Sequence, residues 1–329
     1  MHFVRVTGQR TALAVVALFA VSLITFWAVE LLPGDAATRM LGREATPERV
    51  ANFREQMNLD APALERYTTW ITGFVQGDWG ESLVQARPKT EGAPAGRINR
   101  SVTDIIVPRL TNTLQLAAFA LIMYVPLSLL IGIVTAVYRD RTLAAGLSTL
   151  VILGCAVPDF VIAIFLLVIF AVALEWFPAL SLVDQAQSFG AELRMMTLPA
   201  VTLTAAMTGF AVRQMQASLL SVLNSDYVQF ATLKGLPRRR VLLLHALPNA
   251  LGPALRATVI NVVWLVGGVV LVEVVFTYPG IGLLLLDALR LLDTPVILAS
   301  TMILAGVYVL CNLGADLVAA ALNPRLRTG

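Results

Sequence analysis

Charged residues are scarce in this chain. Aspartate, glutamate, lysine and arginine make up 14% of its 329 residues, hydrophobic residues make up 57%, and the mean hydropathy is +0.77. Soluble domains carry about 25% charged and about 45–50% apolar residues. The composition therefore excludes an ordinary soluble fold and predicts a protein that is embedded in lipid.

Residue types that carry chemistry are also few. The chain has two cysteines, Cys155 and Cys311, both in apolar runs, and two histidines, His2 and His245. Such cysteines offer no disulfide framework and no metal-ligand spacing. There is no H-E-x-x-H and no G-x-S-x-G, which argues against a zinc or serine hydrolase of the membrane.

Two further patterns are missing. A Walker A loop needs G-x-x-x-x-G-K-[ST], and neither Lys89 nor Lys234, the only lysines, follows a glycine. The chain therefore cannot hydrolyse ATP by that route. Its cations are dispersed, with no basic face interleaved with aromatics, so no nucleic-acid partner is predicted. We expect a non-catalytic chain that binds no cofactor or metal of its own.

Long apolar segments are abundant. Six of them are long enough to cross about 30 Å of hydrocarbon, at residues 11–32, 110–137, 146–174, 197–221, 256–276 and 296–321. An even number of spans puts both termini on one side of the membrane. Arginine and lysine concentrate in the short loops and tails of that side, so both termini are predicted to be cytoplasmic. The predicted fold is all-α and polytopic.

The first apolar segment has two interpretations. Arg5 and Arg10 before it are also typical of a cleaved signal peptide. The apolar run is longer than the usual 7–15 residues of such peptides and has no small-x-small cleavage site before Pro33. These features favour a retained first transmembrane helix.

Three regions follow from this pattern. Residues 1–32 form the N-terminal tail and first transmembrane helix, 33–109 an extracytoplasmic helical loop region, and 110–329 a five-helix core with a cytoplasmic loop at 222–255. Within the outer region, 47–57 and 63–76 are predicted helices, because each has helical apolar spacing or an N-terminal capping signal. Residues 87–96 are a predicted loop.

Residues 226–253, here called the hairpin, form a cationic interruption between two apolar segments. Lys234 and Gly235 are predicted to stop one short helix, and Pro237 to open the next. Arms of roughly 10 residues, or about 15 Å, are too short to cross the bilayer. The pattern alone leaves open a docking projection for a partner protein or an interfacial helix pair that binds anionic lipid.

The hairpin resembles the EAA loop of permease subunits in binding-protein-dependent ABC importers. That loop has an EAA triplet, a glycine four residues after its last alanine, and a later Leu-Pro pair. Ala231, Gly235, Leu247 and Pro248 match in register, whereas Gln229, Phe230 and His245 depart from the pattern. The match is to a looser version, YVxxAxxKGL followed by HALxNA, which Tyr227, Lys234 and Leu236 also fit.

Other stretches resemble the first of the two permeases in dipeptide, oligopeptide and nickel importers. In chain order they are LPGD at 32–35, LDAPALERYTTWITGFVQGDWGESL at 59–83, RLTNTLQLA at 109–117, EVVFTYPGIG at 273–282 and NPRLR at 323–327. This similarity covers nearly the whole chain. It implies a type I ABC importer permease in the bacterial inner membrane that transports peptides or similar small solutes.

The resemblance also implies partners and site residues. The partners are a second homologous permease, two ATPase subunits that use ATP and Mg, an extracytoplasmic solute-binding protein, and membrane lipid. ATPase coupling is implied for Tyr227, Phe230, Ala231, Lys234, Gly235, Leu236, His245, Leu247 and Pro248. Tyr227, Phe230, Ala231 and Leu233 are expected to supply part of the apolar docking face.

Charged residues inside the spans have competing interpretations, because intramembrane charge is costly. Pro158 and Asp159 predict a break in the third span, with the carboxylate facing the translocation pathway. The alternative is an aspartate that hydrogen-bonds backbone amides beside a proline kink. Glu273, at the outer end of the fifth span, is expected to snorkel or to pair with loop cations.

Two other functional classes remain open. A secondary transporter driven by an ion gradient would be expected to show internal repeats with paired broken helices, and no convincing repeat is present. A non-transporting membrane scaffold would use the hairpin for lipid or partner binding alone. The sequence does not identify the substrate.

Overall fold

The computed structural model describes residues 2–31, 46–56, 60–88 and 97–321. This part of the chain is helical apart from one two-stranded sheet, which confirms the all-α class. In chain order the elements are α1 (His2–Glu30), α2 (Pro47–Gln56), α3 (Ala63–Gln76), β1 (Glu81–Pro88), β2 (Arg97–Ser101), α4 (Val102–Val137), α5 (Thr142–Ala156), α6 (Asp159–Leu166), α7 (Phe189–Leu223), α8 (Asp226–Leu233), α9 (Arg238–Arg240), α10 (Leu247–Val275), α11 (Ile281–Leu291) and α12 (Thr294–Ala321). A π-helical segment, Leu167–Ala173, extends α6; a second, Val241–Ala246, joins α9 to α10; and a short 3-10 helix lies at Val183–Gln185.

Four helices in the described residues are long and apolar enough to cross a membrane, and they coincide with four predicted spans. They are Gly8–Glu30, Val102–Val137, Phe189–Leu223 and Thr294–Val318. A fifth span is obtained if α5 and the following helix are counted as one bent pair, with 112° between them. The remaining predicted span, 256–276, lies within α10, where Val262–Val275 is a shorter apolar stretch. The count of six spans therefore stays a prediction.

The predicted third span is interrupted where its sequence suggested a break. α5 ends at Ala156 and α6 begins at Asp159, with Val157 in extended conformation between them. Proline disfavours the α region for the residue before it and has no N–H to donate. Pro158 therefore ends one helix and starts the next.

The outer region differs from its all-helical prediction. α3 matches the predicted helix at 63–76, but β1 and β2 form an antiparallel pair in which Glu81 faces Ser101 and Pro88 faces Arg97. β1 thus includes the start of the predicted loop at 87–96. The LPGD motif at 32–35, the central part of that loop (89–96) and the terminal NPRLR lie outside the described residues.

The chain divides into two compact units. One comprises residues 1–6, 114–279 and 310–329, and its core includes Leu116, Tyr124, Leu203 and Phe276. α7 supplies many of the buried residues in this unit. It lies so close to α4 that a Cβ added at Gly132 would be 2.6 Å from the Cβ of Met215. Glycine at this position therefore permits the close approach of the two helices.

The second unit comprises residues 7–113 and 280–309. Aromatic side chains of α1 and α3 pack together, with Phe26 stacked on Trp70 and in edge contact with Tyr67. The hydroxyl of Ser22 hydrogen-bonds that of Tyr67 at 2.8 Å, and Arg66 forms an ion pair with Glu30. These contacts hold α3 of the outer region against the end of the first predicted span.

The burial of Glu273 contradicts the expectation that this residue snorkels. Its side chain is fully buried within the first unit, so it does not snorkel to water. Burial raises the pKa of the neighbouring Tyr278 phenol above its usual range, and the charges of Glu273, Glu192 and Asp184 raise it further. Position near a helix end suggested exposure, whereas packing of α10 in the core decides burial.

Candidate functional site

The first arm of the hairpin is α8, and it ends as the sequence predicted. Asp226 lies in its first turn, where a carboxylate stabilises the helix dipole. Gly235 follows the C-cap Lys234 with φ of +79° and donates its N–H to the carbonyl of Thr232 at 3.0 Å. A Cβ at Gly235 would meet no atom within 4 Å, so backbone conformation alone favours glycine here.

The second arm is not the separate short helix that was predicted. Pro237 caps α9, and helical structure continues through Val241–Ala246 into α10, which ends at Val275. Pro248 lies in the first turn of α10, directly after the π-helical segment, and the helix continues through it. The length of about 15 Å therefore does not apply to this arm.

A small polar cluster connects the two arms. Asn249 Nδ2 donates to the carbonyl of His245 at 2.8 Å and to the hydroxyl of Tyr227 at 3.1 Å. The Tyr227 hydroxyl in turn donates to the same carbonyl at 3.4 Å. Asn249 fits the HALxNA motif in the sequence, but the motif alone did not place it among the predicted coupling residues.

The inner side of the hairpin is anchored in the first unit. Val228, Val241 and Ala246 are buried. Ser218 of α7 donates its hydroxyl hydrogen bond to the carbonyl of Ala250 at 2.8 Å, and Arg238 donates to the carbonyl of Val137, the last residue of α4, at 3.3 Å. A displacement of the hairpin would therefore act directly on α4, α7 and α10.

Large apolar side chains of the hairpin are exposed. Leu233 is 82% exposed and Phe230 64%, and Tyr227, Leu243 and Leu244 are exposed as well. Three members of the predicted docking face are thus accessible, whereas Ala231 is half-buried. The exposure of Leu243 and Leu244 was not predicted, because the sequence does not show a π-helical segment or which of its side chains are exposed. Contiguous exposed apolar patches mark sites of contact with a protein or with a membrane.

The remaining predicted hairpin residues differ in exposure. Lys234, Gly235 and Pro248 are exposed, and Leu236, His245 and Leu247 are half-buried. Cations outnumber acidic residues in the sequence of 226–246. The one acidic residue is Asp226, whereas the exposed cations are Lys234, Arg238, Arg239 and Arg240. The hairpin therefore presents a positive surface next to its exposed apolar side chains.

Asp159 lies apart from the hairpin residues, at the start of α6. It is half-buried, and its Oδ2 is 2.9 Å from where a Cβ at Gly268 of α10 would lie. Within the described part of the chain its carboxylate has no hydrogen bond or ion pair, and α6 has no side-chain cap. The alternative role as a backbone-bonded aspartate is therefore not what the structure shows.

Among the described positions, no three His, Cys, Asp or Glu side chains lie together in a way that could hold a metal ion.

Two family profiles match this sequence. One, described as binding-protein-dependent transport system inner membrane component, matches residues 128–328. The other, described as the N-terminal part of a binding-protein-dependent transport system membrane component, matches residues 3–117. Together they include most of the chain, and the first alone covers the hairpin.

Individual relatives are similar over almost their full length. A Brucella abortus protein, provisionally named a peptide transport system permease protein, is 32% identical over 319 residues, which are 97% of this chain and 98% of the relative. Glutathione transport system permease proteins of Shigella flexneri and Escherichia coli K12 are each 34% identical over 310 residues, or 94% of both chains.

Proposed function

Because this chain belongs to the family of binding-protein-dependent transport system inner membrane components, we propose that its hairpin receives the movement of separate ATPase subunits. The chain is a multi-pass membrane protein and a permease subunit of an ABC importer. The hairpin residues would contact the ATPase subunits and transmit the movement driven by ATP hydrolysis to the rest of the permease.

Continuity of the second arm with α10 is the observation that carries the proposal. A force applied to the exposed Phe230 or Leu233 would pass through the polar cluster of Tyr227 and Asn249 into α10, the helix that contains the predicted span 256–276. A flexible loop would absorb such a force. Rigid helices are the usual means by which movement is transmitted between sites.

We infer that this chain does not hydrolyse ATP and that its partners do. Two ATPase subunits would close on ATP and Mg, and the hairpins of this chain and of a second homologous permease would be drawn together. The pathway between the permeases would then open towards a substrate-loaded binding protein, and hydrolysis would reset it. The sequence has no Walker A loop, which supports assigning ATP hydrolysis to the partner subunits.

The proposal includes the orientation of the chain in the membrane. Both termini and the hairpin would lie in the cytoplasm of the bacterium, in agreement with the four cations of the hairpin and the positive-inside rule. Residues 33–109 would then lie outside the inner membrane and contribute to docking of the binding protein. The exposed Leu64 and Val75 of α3 offer apolar contacts for such docking.

The proposed substrates are peptides or similar small solutes. The names of the relatives, which refer to peptide and glutathione transport, support this class. Asp159 and Pro158 are proposed to line the pathway, since a carboxylate at a break in a span, with no partner among the described residues, is available to a cationic group such as a peptide's amino terminus.

The test is a substitution on the exposed part of the first arm. Phe230→Asp places a charge where an apolar contact is proposed, and its matched control is Leu64→Asp on α3, since Leu64 is 67% and Phe230 64% exposed. We expect the ATPase subunits to co-purify with the control and to be lost from the Phe230→Asp importer. Equal retention of the ATPase subunits by both variants would contradict the docking role.

A further inference from the structure

A cavity lies at the base of the hairpin. Its volume is about 270 Å³. Six of its eight lining residues are apolar: Val137, Leu223, Val228, Leu236, Val241 and Leu242. None of the exposed residues Phe230, Leu233, Leu243 and Leu244 lines it. The proposed ATPase contact and this cavity are therefore formed by different side chains.

The position of the cavity relative to the bilayer follows from two of its walls. Val137 is the last residue of α4, and Leu223 is the last residue of α7. Both helices are long and apolar enough to span a membrane. A cavity lined by the ends of two such helices is expected near the membrane surface, where lipid headgroups are found.

The polar lining of the cavity is one arginine and one threonine. Thr232 donates its hydroxyl to the carbonyl of Val228, and Arg238 uses one guanidinium N–H for the carbonyl of Val137. A guanidinium has five N–H donors. Within the described residues no other partner of Arg238 is found, and no acidic side chain lines the cavity. Donors remain available for a phosphate at the edge of an apolar space.

Most charged residues next to the cavity lining in the chain are positive. Arg139 and Arg141 follow Val137 in the chain, and Arg239 and Arg240 follow Arg238. Arg139 pairs with Asp140 at 3.7 Å, and Arg141 lies over the ring of Tyr138. Three arginines in succession at the start of a helix are unfavourable against its dipole. A bound anion would offset this repulsion.

We propose that an anionic phospholipid binds here, with part of an acyl chain in the cavity and its phosphate on Arg238. Water would gain little from the apolar walls, because the cavity offers it few polar partners. A soluble phosphate would use Arg238 and leave the apolar walls empty. An anionic lipid uses both the cation and the apolar walls, and membrane surfaces rich in such lipids attract clustered arginines.

Lipid retention tests the proposal separately from coupling, since it is measured without ATP or substrate. The complete importer is placed in nanodiscs containing equal amounts of phosphatidylcholine and phosphatidylglycerol, released, and analysed by native mass spectrometry for bound lipid. We expect phosphatidylglycerol to be retained in preference to phosphatidylcholine. Excess inorganic phosphate should not displace it, because the apolar walls contribute to binding.

Variants assign the lipid to the cavity. Arg238→Gln should lower phosphatidylglycerol affinity roughly tenfold, the usual scale for a lost charge-assisted hydrogen bond. Arg240→Gln, which removes the same charge from an exposed residue outside the lining, should lower it clearly less, because Arg240 contributes only at long range. Arg238→Lys should retain part of the affinity, and melting temperatures will show whether each variant is folded.

Four outcomes would overturn the proposal. They are equal retention of the two lipids, unchanged retention in Arg238→Gln, displacement by inorganic phosphate, and retention only after the ATPase subunits are removed. The last would mean that a partner protein occupies the cavity in the assembled importer.

Discussion

At the scale of single residues, Asn249 has the most specific role in the hairpin. Its side-chain amide is the donor that links the arm of Tyr227 to the arm of His245. Each such hydrogen bond contributes about 0.5–1.5 kcal/mol to stability. The residue was part of a motif in the sequence, but a motif does not show which atoms meet.

Substitution of Asn249 tests this link. Asn249→Ala should loosen the hairpin and lower ATP-driven transport, while insertion into the membrane is retained. The matched control is Gln229→Ala, because Gln229 also donates through its amide but to Asn224, just before its own arm. Limited proteolysis should cleave the hairpin of Asn249→Ala faster than that of the control. Equal cleavage rates would show that Asn249 does not hold the arms together.

The turn between the arms illustrates what local chemistry predicts well. Glycine after a helix and proline before the next one were sufficient to place the helix stop at Lys234 and Gly235. Both signals act within a few residues, through backbone conformation alone. No knowledge of distant contacts was needed.

Gly235→Pro is the corresponding prediction. Proline fixes φ near −65°, against the observed +79°, and it removes the N–H that donates to Thr232. We expect a cost above roughly 1 kcal/mol, normal membrane insertion, and ATP hydrolysis that no longer drives uptake. Gly235→Asn serves as the control, since asparagine tolerates the left-handed region. Normal uptake by Gly235→Pro would exclude the coupling role.

At the scale of elements, the differences between expectation and structure arise from backbone geometry, strand pairing and core packing, which residue patterns do not predict. The second arm continues into α10 through a π-helical segment just before Pro248. No residue pattern predicted this segment. β1 and β2 pair across an intervening segment, and such pairing depends on contacts between distant positions. The burial of Glu273 likewise depends on packing in the core.

At the scale of the whole molecule, hydropathy predicted the spans more reliably than their ends. Four long helices coincide with predicted spans, yet α4 begins at Val102 and α7 at Phe189, each well before the apolar window. A window of apolar residues detects the membrane-embedded part of a helix and not its polar extension. The break at Pro158 was predicted because proline acts locally.

Topology is the whole-molecule prediction. Single cysteines introduced at Thr7 and Thr328, in a background where Cys155 and Cys311 are replaced by serine, should be labelled by a membrane-impermeant reagent only after the inner membrane is opened. A cysteine introduced at Thr68, exposed on α3, should be labelled in intact spheroplasts. Labelling of either terminus from outside would contradict the proposed orientation.

Transport of labelled substrate into proteoliposomes tests the central claim most directly. The vesicles contain both permeases, with the ATPase subunits facing ATP and the binding protein presenting substrate on the opposite face. We predict uptake that requires ATP and the ATPase subunits, and that is lost in Phe230→Asp although the permease remains inserted. Uptake that persists without the ATPase subunits, or that follows an imposed ion gradient, would contradict the account.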